Sequence, residues 1–173
     1  MSASVLCDLL RAQGGTLAQH VREPDAPATP GPPQKAAAGP RAAGREAEYE
    51  LLLEMILEGH RLHYGEPLVV RPDDPDLALL LGDQLYALGL ARLAELGDLD
   101  AVAELADVIS LVAQAHTASD RDLAEAVWEA GAVSVGWGAS EDHRRAKERA
   151  RAHEPDAGNA LRAAAMARRD RQL

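Results

Sequence analysis

Two histidines, His60 and His63, stand three residues apart near the end of a predicted helix, with Glu58 and Glu66 close by. Imidazole and carboxylate groups are ligands that zinc takes in catalytic sites, so this spacing could hold a metal ion. The alternative is that both imidazoles lie on the helix surface, which is the more common situation for histidines near a helix end. We assign no metal ligand on this pattern alone.

Other chemistries lack their motifs. No glutamate stands three residues before any of the six histidines, which argues against a di-iron carboxylate bundle. No Gly-x-Ser-x-Gly elbow, phosphate-binding P-loop or dinucleotide glycine fingerprint occurs either. The sequence therefore predicts no catalytic, cofactor-binding or metal-binding residue, and no cofactor.

The remaining polar candidates are Asp83, Tyr86 and Trp128. Asp83 interrupts an apolar stretch, and an ionised carboxylate inside a helical bundle costs several kcal/mol unless a donor meets it. Asp83 is therefore either a satisfied polar residue that fixes helix register or a residue facing a small cavity. In the second case Tyr86 and Trp128 would line an apolar pocket beside it.

The composition favours helix throughout, because alanine and leucine dominate, phenylalanine is absent and the aromatic content is only 3%. We predict an all-α bundle of about five to six helices. Residues 77–96 are apolar on most sides, so we expect this helix at the centre of the bundle. Gly97 and Asp98 suit the turn of an antiparallel hairpin that joins 76–96 to 99–116. The helix at 77–96 is interrupted by polar residues after its first five residues, so we predict no membrane span.

The chain divides into three predicted segments. Residues 1–22 form a weak amphipathic segment, and residues 23–44, with six prolines and three glycines, are expected to be a disordered linker. Residues 45–173 form the helical domain, in which 140–173 are basic C-terminal helices whose last helix is expected to fray. Within this domain, glutamates at 46, 50, 54 and 58 form a stripe that we interpret as a solvated helix face.

Charge and cysteine content limit the partners and the compartment. Residues 45–139 carry a net charge of -14, which would repel a phosphate backbone, so we expect no nucleic-acid partner. The basic residues of 140–173 form a solvated face, or rest on the acidic core or on a partner. Cys7 is the single cysteine, and the N-terminus lacks the basic region of a signal peptide. We therefore expect a cytoplasmic protein.

The run LLLGDQLYALGLARLAELGD, together with His63-Tyr64-Gly65-Glu66 before it, resembles a helix of the trans-polyprenyl diphosphate synthases and the approach to that helix. The likeness covers roughly residues 60–120 and is most specific at Gly82-Asp83. The family's magnesium-binding Asp-Asp-x-x-Asp motif is replaced by Asp73-Asp74-Pro75-Asp76, with the third acid one position early and a proline inside. A helix cannot present these acids as the family does.

The resemblance implies a non-catalytic relative, since some members of this family are small helical subunits that support a catalytic partner. The first hypothesis is thus an accessory subunit of a prenyl synthase, without catalytic activity of its own. The alternatives are a free-standing helical adaptor, with or without self-association into a homo-oligomer, and a small bundle that binds an apolar ligand.

Overall fold

The computed structural model describes residues 2–24 and 30–171. These residues form nine α-helices and one short 3-10 helix, Pro40–Ala42. The helices are α1 (Ser2–Gln13), α2 (Gly15–Gln19), α3 (Pro32–Ala37), α4 (Glu46–Tyr64), α5 (Pro75–Glu95), α6 (Leu99–Thr117), α7 (Arg121–Trp137), α8 (Glu141–Arg151) and α9 (Ala157–Asp170). The all-α fold class is confirmed. Five to six helices were expected, and the difference is α1–α3, which precede the six helices of the domain that begins at residue 45.

The central helix is α7, which packs against α3, α6, α8 and α9. Twelve of its 17 residues are buried, compared with five of 21 in α5. Small residues let the neighbours come close: a Cβ added at Gly136 would lie 2.2 Å from the carbonyl oxygen of Ala36. Short side chains on several faces therefore place α7, rather than the most apolar helix, in the middle of the fold.

The predicted central position of the helix at 77–96 is wrong, because α5 lies at the edge and packs mainly on α4. Leu81, Leu85 and Leu93 are buried, while Leu79 and Leu80 are 45% and 65% exposed. In the described part of the chain, only α5 is long and apolar enough to cross a membrane, and a single such helix is weak evidence for a span. Leucine content thus did not distinguish a surrounded helix from one that leaves an apolar face uncovered.

Close approach of two glycine-bearing faces joins α5 to α4. A Cβ added at Gly89 would lie 2.4 Å from Cγ1 of Ile56, and one added at Gly59 would lie 2.9 Å from the carbonyl oxygen of Gly82. Without side chains at these positions, the two helix backbones can approach each other closely.

The segment expected to be a disordered linker contains α3 and the 3-10 helix. α3 packs between α4 and α7, and Ala36 and Ala42 are fully buried. Pro32 and Pro33 occupy the first turn of α3, where a missing backbone N–H leaves no hydrogen bond unmade. The expectation of disorder is therefore wrong for residues 30–44, while residues 25–29 lie outside the described residues.

The N-terminal segment forms a second, smaller core with α4 and α5. The break expected at Gly14-Gly15 separates α1 from α2, and both glycines have positive φ angles. Leu6, Leu10 and Cys7 of α1 are fully buried. One isolated antiparallel bridge, between Val21 and Val70, connects the end of this segment to the loop after α4.

The turn predicted at Gly97-Asp98 is confirmed, and a second capping residue begins α5. The Asp74 carboxylate accepts hydrogen bonds from the backbone N–H groups of Asp76 and Leu77 at the start of α5. Gly97 has a φ of +78°, and Asp98 accepts from the N–H of Ala101 at 3.1 Å. Asp74 therefore caps α5.

The substitution Gly59→Ala is expected to destabilise the protein by about 1–3 kcal/mol, because the new methyl group would press on the Gly82 carbonyl and the Tyr86 ring. Gly65→Ala is the matched control, since its Cβ would meet nothing nearer than 3.8 Å. Chemical denaturation of both variants measures the difference. A Gly59→Ala protein as stable as the wild type would contradict the close packing of α4 on α5.

Candidate functional site: an aromatic cleft beside α4, α6 and α7

A cleft of about 670 Å³ opens at one end of the bundle, between the last turns of α4 and α6 and the first half of α7. Four ring-bearing side chains line it: His60 and Tyr64 from α4, His116 from α6 and Trp128 from α7. We call this site the aromatic cleft. His60 and Tyr64 share one helix face because four residues make about one turn.

The rings of the aromatic cleft contact one another. Tyr64 and His116 are stacked, with centroids 4.3 Å apart and planes 5° from parallel. The His60 ring lies 5.4 Å from Tyr64, 5.4 Å from His116 and 5.6 Å from Trp128. These side chains come from three helices, so the ring cluster is assembled only by the tertiary fold.

Of the three candidate residues from the sequence, only Trp128 lines the aromatic cleft. Tyr86 lies outside it and stacks on His63 at 5.4 Å. The Asp83 side chain is 70% exposed, so Asp83 is not a cavity residue. Its Oδ1 lies 3.1 Å from His63 Nε2, but the two groups are not aligned for a hydrogen bond. A pocket shared by these three residues is therefore not formed.

Three nitrogen atoms around the aromatic cleft are buried without a hydrogen-bond partner: His60 Nδ1, His116 Nε2 and Trp128 Nε1. Trp128 is only 5% exposed, and its indole nitrogen can only donate. A buried polar group left unpaired costs about 1–3 kcal/mol, so three such groups around one cleft call for an explanation.

Both cleft histidines are shifted towards the neutral form. Burial, together with the positive charges of His116, Arg61 and His63, lowers the pKa of His60 to about 4. Burial and the charge of Arg121 also lower the pKa of His116. At neutral pH the neutral His60 ring offers one N–H donor and one acceptor nitrogen.

The expected solvated stripe of glutamates is wrong at Glu54 and Glu58, which are 2% and 0% exposed. Arg61, whose side chain also lines the cleft, donates to Glu54 Oε1 at 2.7 Å and to Glu58 Oε2 at 3.2 Å. Two buried carboxylates thus share one guanidinium, and the positive charge of Arg61 is fully paired. The hydrogen-bond donors for these carboxylates are the Arg61 side chain and the backbone N–H groups of Leu68, Val69 and Val70. The helical spacing of the glutamates alone does not reveal these donors.

Glu58 also holds the loop at the mouth of the aromatic cleft. Its carboxylate accepts hydrogen bonds from the backbone N–H groups of Leu68, Val69 and Val70 at 3.1, 2.6 and 2.9 Å. Gly65 and Glu66, which begin this loop, line the cleft. Glu58 is therefore committed to the backbone, and it is unavailable to share a metal ion with His60. Across residues 2–24 and 30–171, no group of three His, Cys, Asp or Glu residues is arranged to hold a metal ion.

A second buried polar cluster attaches the C-terminal helices to the body. Lys147 of α8 donates to Glu104 and Asp107 of α6, each at 2.7 Å, and His143 Nε2 donates to Glu104 at 2.7 Å. Burial alone would raise the pKa of Glu104, but the hydrogen bond from His143 and the charge of Lys147 hold it below the ordinary value. Lys147 and Arg151 of α8 therefore rest on the acidic core, one of the alternatives that the sequence left open, whereas Arg144, Arg145 and Arg149 lie on an exposed face and pair with acids of their own segment.

The C-terminal helix α9 packs against α7 and α8. Its Leu161 and Ala164 are buried, and Arg162 pairs with Asp122 at 2.7 Å. The helix continues to Asp170.

The sequence indicated His60 only as a possible metal ligand, and it did not indicate His60 and Tyr64 as a ring pair. Their spacing of four residues on one helix face is the signal that could have found them. Nothing in the linear sequence indicates that Trp128 and His116 meet this pair.

No family model matches the chain, and comparison with curated proteins and with solved structures found no match.

Removal of the Lys147 charge is expected to destabilise the fold by about 3–5 kcal/mol, because Lys147→Met leaves buried Glu104 with only His143 as a partner. Arg145→Met is the matched control: its pair with Asp142 is exposed, and its loss is expected to cost at most about 1 kcal/mol. Equal losses in the two variants, measured by urea denaturation, would refute the role of this cluster.

His60 is expected to make the protein less stable in acid. Its pKa is about 4 when folded and near 6.5 when unfolded, so protons bind preferentially to the unfolded chain as the pH falls from about 6.5 to about 4. The loss is roughly 3 kcal/mol over this interval. Denaturation at a series of pH values measures it, and His60→Gln removes it. An identical pH dependence in the variant would show that His60 is not held neutral by the fold.

Proposed function

We propose that this protein binds a small organic molecule in the aromatic cleft and acts by holding that molecule rather than by transforming it. The observation that carries the proposal is the set of three buried, unpartnered nitrogens, on His60, His116 and Trp128, around one cleft.

The size of the aromatic cleft supports a single small ligand, since small-molecule sites span about 300–1,000 Å³ and this one measures about 670 Å³. Such sites combine a largely apolar or aromatic lining with a few polar groups that fix orientation. Each nitrogen that pairs with a ligand would recover part of the cost of leaving it buried and unpaired.

The charges of the lining support a binding role. Among the charged residues of the lining, Arg61 pairs with Glu54 and Glu58, and Glu129 pairs with Lys35. The other charged lining residues, Glu66, Arg121 and Glu125, are exposed. We therefore expect the deeper contacts to a ligand to come from the neutral rings.

A fragment screen by protein NMR tests the proposal with a matched pair of variants, His60→Gln and His63→Gln. The two histidines lie on the same helix, but only His60 lines the aromatic cleft. We expect fragments that perturb the signals of Trp128 and His116 to bind His60→Gln about tenfold more weakly, which corresponds to the loss of one good hydrogen bond. We expect His63→Gln to bind them as the wild type does.

Two results would oppose a binding role. One is a library in which no fragment perturbs the cleft signals. The other is a set of cleft ligands whose affinity falls equally in both variants, since that would indicate a general change in α4 instead of a contact with His60.

A second candidate function is an accessory helical subunit of a polyprenyl diphosphate synthase. The observation that favours it is the uncovered apolar side of α5, where Leu79 and Leu80 are exposed on the helix that carries the family resemblance. A partner that covers this side would gain about 25 cal/mol of binding free energy for each Å² of apolar surface that it buries.

Co-purification with a prenyl synthase from native extract tests this second candidate. Leu80→Glu is expected to abolish the association, whereas Leu99→Glu, at an equally exposed leucine on α6, is expected to preserve it. Recovery of a lone monomer with no prenyl synthase, or the same binding by both variants, would contradict the accessory role.

A further inference from the structure

We infer that the ligand of the aromatic cleft is an uncharged, planar heteroaromatic molecule that accepts a hydrogen bond from the indole N–H of Trp128. This inference rests on the proposed binding function and specifies the chemical class of ligand.

The Trp128 indole fixes one feature of the ligand. Its Nε1–H is buried, has no partner in the described structure and can only donate. A ligand that fills the cleft must therefore place an acceptor, such as a ring nitrogen or a carbonyl oxygen, against this atom. A hydrocarbon of the same shape would leave the N–H both buried and unpaired.

The two imidazoles add a requirement for further polar atoms on the ligand. His60 Nδ1 and His116 Nε2 also lack partners, and their rings lie 5.4 Å apart. A neutral imidazole nitrogen either donates or accepts, depending on its tautomer. Three unpartnered nitrogens on side chains from three helices are best met by a ring system with several donors and acceptors on its edges.

The shape of the lining favours a flat molecule. Three of the four ring-bearing side chains, His60, His116 and Trp128, come from different helices and surround the same space, and Tyr64 stacks on His116 within 5° of parallel. Aromatic faces bind other aromatic rings in offset-stacked or edge-to-face arrangements. The cleft volume of about 670 Å³ accommodates a fused ring system with substituents.

The charges around the aromatic cleft favour a neutral ligand. A deeply bound anion would lack a free cation, because Arg61 is shared between two buried carboxylates. A deeply bound cation would pay the same cost of burial that depresses the pKa of His60. Arg121, Glu66 and Glu125 are exposed at the cleft surface, where they can contact polar substituents on the outer part of the ligand.

Four probes of similar size test the inference: quinazolin-4-one, naphthalene, 2-naphthoate and N-methylquinolinium. Each is titrated into the Trp137→Phe protein, in which Trp128 is the only fluorescent tryptophan. We expect quinazolin-4-one to bind about tenfold more tightly than each of the other three. We also expect it to shift the indole N–H resonance of Trp128 downfield, a change that a purely structural tryptophan would not report.

The variant Trp128→Phe separates the hydrogen bond from the ring. It is expected to weaken quinazolin-4-one binding about tenfold more than naphthalene binding, because both probes lose contact with part of the indole ring but only quinazolin-4-one loses the N–H partner. For this variant the measurement is NMR titration of the His116 signals. Circular dichroism controls for folding.

The outcomes distinguish this inference from the proposed function. Tighter binding of 2-naphthoate or N-methylquinolinium, or equal losses for both neutral probes in Trp128→Phe, would overturn the ligand class and leave a binding function in place. Failure of all four probes to bind would also overturn the ligand class, whereas the binding function is decided by the broader fragment screen.

Discussion

The fold depends on a single turn of α4, residues 58–61, in which each of four consecutive residues has a different structural role. Glu58 accepts three backbone hydrogen bonds from the loop that follows α4, and Gly59 lets the backbone of α5 approach. His60 lines the aromatic cleft, and Arg61 pairs with two buried carboxylates. Successive residues on a helix point about 100° apart, so one turn can serve the core, the loop and the cleft at once.

This arrangement explains how a largely apolar bundle keeps polar atoms inside. Glu58, Glu54 and Glu104 are buried, and each is met by a cation or by backbone donors. The buried nitrogens of His60, His116 and Trp128 are different, because they have no partner and belong to side chains that line a cleft. Since native interiors leave few polar groups unpaired, the contrast between the satisfied carboxylates and these nitrogens supports a ligand site at the cleft.

Local features could be predicted from the sequence, whereas features that depend on long-range contacts could not. Helical periodicity and capping residues placed α5, α6 and the turn between them within one or two residues, and glycines marked the break between α1 and α2. The burial of Glu58 depends on a loop ten residues away, and the order of α3 depends on α4 and α7, which begin 9 and 84 residues after its last residue. The cleft could not be predicted either, because its rings come from three helices.

The most direct test of the central claim is a crystal structure of the full chain grown with quinazolin-4-one. The account predicts the ring inside the aromatic cleft, against the side chains of His60, His116 and Trp128, with an acceptor atom within hydrogen-bond distance, about 2.7–3.2 Å, of the Trp128 indole nitrogen. A closed cleft in which these three nitrogens bond to the protein itself, or a ligand bound only elsewhere on the surface, would contradict it.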